Sequence, residues 1–197
     1  MAKGSNDVIL RDRLQFDIDA NGDTALVYGR IDLSDYVSIP ENRGLALKEI
    51  RFMLRDPTNF TGQFPTILSA PPAGPGTVES TRSEIRLFAT TTAYEDVKDV
   101  GIASPNVICV YDISQTAQYL AADGQSIVTH REFYGTPDLH PEGYDVVTDL
   151  LIGVACQDLT NLNLTNDTME IDVMLIAEPK KITQKDLTQM LTQAQDL

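Results

Sequence analysis

Apolar and polar side chains alternate with a period of two through most of this chain. That is the pattern of strands with one face in a core and the other in water. In VILRDRLQFDI, Val8, Leu10, Leu14, Phe16 and Ile18 share one face, and Asp12 is the exception. ALVYGRIDL follows after a turn. In LALKEIRFMLR the apolar parity changes between Leu47 and Ile50, which predicts a bulge or a bend between sheets. EIRLFATTTAY, NVICVYDI, SIVTHREFY, YDVVTDLLIGVAC and TMEIDVMLIA read as further strands. FPTILSA is a weaker candidate, because prolines crowd both its flanks. Eight or nine strands with turn signals between them predict an all-β chain, an antiparallel sandwich or barrel. The absence of strand–helix alternation argues against a parallel α/β sheet.

Two long connections interrupt the alternation. The first, Asp56 to Ser80, holds five of the ten prolines and reads as a stiffened surface excursion. The second is YGTPDLHPEGYD, rich in Gly and Pro. Long ordered loops on a β scaffold carry contacts, so both are candidate interfaces. The one helix expected is ITQKDLTQMLTQAQDL, where Thr183 and Asp186 resemble a capping box. Ile182, Leu187, Met190, Leu191 and Ala194 form its apolar stripe, which fits either its own sandwich or a neighbouring subunit. Pro179 is expected to set this helix off from the last strand, dividing the chain into a β-domain over 1–178 and a helix over 179–197.

Composition adds bounds. A chain of 197 residues, 42% hydrophobic and 22% charged, is long enough for one well-buried core. The start, MAKGSNDVILRD, lacks the apolar stretch of a secretory signal, so folding in a cytosol is expected and the sequons at Asn59, Asn163 and Asn166 carry little weight. Cys109 and Cys156 sit in apolar stretches and read as buried free thiols, with a disulfide open if neighbouring strands bring them together. The net charge is −14, and from Glu132 to Pro179 there are ten acidic residues and no Lys or Arg. Such a surface repels phosphate, so no direct nucleic-acid partner is expected.

Candidate chemistry is sparse. Asp17, Asp19, Asn21, Gly22 and Asp23 fall where an EF-hand loop puts its ligands and glycine, but the twelfth position is Tyr28 and the flanks alternate like strands. Asn21-Gly22 is instead a strong hairpin signal, with Asp17, Asp19, Asn21 and Asp23 left as a loose calcium alternative. His130 and Glu132 have strand spacing, but only His140 could complete a metal set, and both histidines read as surface groups. No nucleophile elbow or phosphate loop is present, and the Glu95–Lys98 run EDVK reads as a charged strand end. No enzyme activity and no cofactor are expected. A carbohydrate-binding sandwich is a competing reading, weakened by the absence of Trp.

Eight-odd strands, stiff proline-rich loops and a terminal helix together resemble the single jelly-roll major capsid proteins of tailless, membrane-containing icosahedral viruses of bacteria and archaea. The stretch GRIDLSDYVSIPENRGLALKEIRFMLRDP is similar to segments of viral structural proteins. The resemblance implies a single jelly roll of about eight strands, made in a host cytoplasm and resident in a virion. It implies a trimer or pentamer, contacts with other virion proteins, and an underlying viral membrane as a further partner. A virion attachment or decoration protein is the related alternative. Subunit contacts are expected at Phe60, Phe64, Ile67 and Leu68 in the proline-rich loop, at Tyr134 and Tyr144 beside the second loop, and at Leu187, Met190 and Leu191 on the helix.

Overall fold

The computed structural model describes residues 6–64, 67, 79–120, 124–134 and 143–193. Among these residues nine strands form two antiparallel sheets: β1 (Val8–Ile18), β2 (Thr24–Ile31), β3 (Arg43–Arg55), β4 (Glu79–Thr90), β5 (Val107–Leu120), β6 (Gly124–Tyr134), β7 (Tyr144–Val146), β8 (Leu150–Gln157) and β9 (Asp167–Lys181). A 3₁₀ turn (Val97–Asp99) lies between β4 and β5, and helix α1 (Gln184–Gln193) follows β9. The four-stranded sheet runs β1-β9-β3-β7 and the five-stranded sheet β2-β8-β4-β5-β6. Successive strands change sheet at almost every connection, and the order is that of a jelly roll in which β6 is one added hairpin strand beyond β5.

The alternation explains the core. Phe16, Ile18, Leu47, Ile50, Ile171 and Val173 from the four-stranded sheet meet Ile85, Leu87, Ile113, Ile152 and Val154 from the other, all buried. The parity change in β3 is a bulge: Leu47 pairs with Ala177 but Glu49 with Ile176, so the strand regains its inward face at Ile50. Asp12 holds an inward parity yet is exposed, because β1 is the outer strand of its sheet.

Several expectations change. Asn21-Gly22 does make a tight turn, but not a hairpin, since β1 pairs with β9 and β2 with β8 in the opposite sheet. The turn is an arch across the sandwich. Gly22 sits at φ +82°, and a Cβ there would lie 1.9 Å from the Leu159 carbonyl oxygen. YDVVTDLLIGVAC divides into β7 and β8, which belong to different sheets. β9 runs through Pro179, which pairs with Leu45 beyond the last β1 partner at Ala177. There, among the described residues, β9 pairs only with β3, so a proline fits, and the strand continues past it to Lys181, two residues short of the helix.

Helix α1 packs on its own sandwich. Leu187 and Ile182 are buried against Val147, with Met190 packed alongside. Thr183 Oγ accepts the Asp186 amide at 3.2 Å and donates to the Asp186 carboxylate at 2.6 Å, so the cap closes between side chains. Cys109 and Cys156 are free and buried, on β5 and β8 with β4 between them, too far apart to bridge. Burial pushes both thiols up to about 12.

Candidate functional site

A groove of about 920 Å³ runs over the outer face of the five-stranded sheet. Cross-strand register builds its floor. Ala155, Arg86, Asp112 and Glu132 form one row across β8, β4, β5 and β6, and Gln157, Glu84, Ser114 and His130 form the next. Arg86 and Asp112 make a two-pronged pair, Nε to Oδ1 at 2.7 Å and Nη2 to Oδ2 at 2.6 Å. Hydrogen bonding to Asp112 holds the guanidinium above its ordinary range. Glu132 accepts a hydrogen bond from the Tyr134 hydroxyl, and this bond pushes the phenol up.

A hydrophobic anchor fixes one wall. Phe88 points outward yet is fully buried, because the β4–β5 connection folds over it with Val100, Tyr94 and Val107. The Tyr28 ring meets Phe88 edge-on at 5.8 Å, and Gly153 lies beneath, where a Cβ would come within 2.2 Å of the ring. The Tyr28 hydroxyl donates to the Tyr94 carbonyl and accepts its amide, and Arg86 Nη1 donates to the Val100 carbonyl at 2.8 Å. The connection is thus clamped by both an aromatic pair and a guanidinium. EDVK, expected as a strand end, instead forms this wall's 3₁₀ turn, capped where Asp96 accepts the Lys98 amide.

Among the described residues seven carboxylates line the groove against three cations, so its potential is negative. Chemically it offers acceptors for a guanidinium, an ammonium or a polyhydroxylated ligand. Of the residues singled out in the sequence, Tyr134, His130, Glu132, the EDVK run and two arch residues, Asp19 and Asp23, come together at this surface. Arg86 and Asp112 were missed, although a charge at outward parity inside each of two apolar strands was visible.

The arch residues are occupied by structural bonds. Asp19 accepts the amides of Asn21 and Asp23 at 2.8 and 2.9 Å, which lower its carboxyl from the ordinary range. Asp23 accepts the Asp158 amide, Asp17 accepts from the Thr168 hydroxyl, and Asn21 donates to Asp19. Among the described residues no three His, Cys, Asp or Glu side chains gather as a metal site. His130 is exposed on β6, and His140 lies outside the described residues.

The expected contact residues scatter. Phe60 is fully exposed, Tyr134 and Tyr144 are partly exposed, and Phe64 packs at the edge of the core. Ile67 is 2% exposed, its amide donating to Gln115 Oε1 at 3.1 Å inside the sandwich, so its side chain serves the chain's own core. Leu187 is likewise taken up beneath α1. Leu191 lies on α1, while Leu68 and most of both long loops fall outside the described residues. Comparison with protein-family models and with curated proteins finds no match.

Proposed function

We propose that this chain is a structural subunit that associates with its own copies, as in the jelly-roll shells of viruses. The observation that carries the reading is the winding itself, β1-β9-β3-β7 over β2-β8-β4-β5 with β6 appended. A jelly roll hosts several functions, viral shells and lectins among them, so the surfaces must decide between them. Aliphatic side chains fill the space between the sheets, which leaves the outer faces and loop ends to do the work. Phe60 and Leu162 stand exposed on neighbouring loops at one end, an arrangement suited to burial against another protein. The acidic body favours protein partners, or a membrane reached through other virion proteins, over naked genome. Light scattering and negative-stain microscopy of the purified chain test the reading. Discrete closed oligomers support it, and a monomer at every concentration and salt rejects it.

The groove favours one second reading, a glycan-binding sandwich, because its floor is polar and flanked by Tyr134. Glycan-array binding by a monomer, lost on Glu132→Ala, would favour that reading instead.

A further inference from the structure

The outer face of the four-stranded sheet differs from the rest of this acidic molecule. Register sets Arg11 opposite Met174 and Met174 opposite Arg51, with Arg13, Asp172 and Met53 in the next row. Met53 is 53% exposed and Ile9 37%. Arg13 is spent on Asp172 at 2.6 Å and Arg51 on Glu49, while Arg11 makes no ion pair among the described residues. A shallow depression of about 530 Å³ opens between these side chains. Arginine and methionine are among the residue types enriched in protein interfaces, and the three arginines of the depression outnumber its two carboxylates, Asp12 and Asp172.

The opposite side of the sandwich carries the complementary surface. Its groove has a clear excess of carboxylates, with Glu84 and Glu132 exposed at the floor and rim. We infer that copies of this chain associate head to tail, the arginine–methionine face of one seated in the acidic groove of the next. The inference rests on the self-association reading and gives it two surfaces. Because the surfaces differ and lie on opposite sheets, the contact is heterologous and repeats from copy to copy. Three long strands offer about 500 Å² of projected area, below the roughly 800 Å² per partner of a standard interface. A single contact is therefore weak, and opposite charges make it salt-sensitive.

Sedimentation velocity of the full chain in low and high salt tests this with two variants, Arg11→Glu/Arg51→Glu on the face and Glu84→Lys/Glu132→Lys in the groove. All four side chains are exposed or half-buried, and circular dichroism melts check that each variant folds. The expected result is association that weakens with salt, falls about tenfold or more in each variant alone, and returns when the two variants are mixed. Oligomers that persist in both variants overturn the inference while leaving self-association standing. Loss in the face variant alone shows a face-to-face contact and also overturns it. Binding of a monomeric wild type to phosphatidylserine vesicles, abolished in the face variant, assigns the face to a membrane instead. A wild type that stays monomeric in low salt overturns the inference, and one that stays monomeric in high salt as well rejects self-association.

Discussion

At the scale of single residues, the groove wall depends on a missing side chain. Gly153 leaves room for the tip of the Phe88 ring over β8, and Gly153→Ala would drive a methyl into that ring. Overpacking of this kind costs about 1–3 kcal/mol, so the urea midpoint should fall while the slope stays unchanged. On the opposite face, hydrogen bonding from Arg13, with Arg55 adding its charge, holds the Asp172 carboxyl below its ordinary range. The folded chain therefore binds fewer protons there than the unfolded one. The resulting stability is present above the ordinary carboxylate value near pH 4 and is lost as pH falls through the lowered folded value. Asp172→Asn should flatten the acid limb of stability against pH, measured by urea unfolding from pH 6 down to 2.

At the scale of elements, α1 gives the plainest expectation. Leu187 is buried with Ile182 and Val147, and Leu187→Ala should lower unfolding stability by about 2 kcal/mol in a chemical melt without changing the oligomeric state. The apolar stripe of that helix was legible, but its partner was not, because a stripe states that a face is buried and not against what. The same limit explains the arch. Asn21-Gly22 announced a tight turn correctly, yet a turn does not say whether its strands pair with each other or part into two sheets. β7 and β8 ran together for the same reason, since Val147, Thr148 and Asp149 form too short a break to signal a change of sheet. Parity carried more: the shift between Leu47 and Ile50 located the β3 bulge from the pattern alone. The groove was nearly silent because it is assembled across β4, β5 and β6, and pairs such as Arg86–Asp112 exist only once register is known.

At the scale of the whole molecule, the two sheets present unlike outer surfaces: on one, arginines paired with Asp172, Glu170 and Glu49 lie among exposed Met53 and Ile9, and on the other carboxylates outnumber cations. Only the folded arrangement separates them, because charges of both signs are mixed along the strands. β1 adds a further constraint. It is an outer strand eleven residues long, and its middle presents Arg11, Asp12 and Arg13 to solvent. An inward-parity carboxylate there makes the strand a poor template for another chain's backbone. Asp12→Leu should therefore remove a safeguard, giving turbidity and thioflavin T fluorescence on gentle heating where the original chain stays clear. The single aspartate that breaks the first alternation would then be what keeps the outer edge of β1 from recruiting the backbone of another copy.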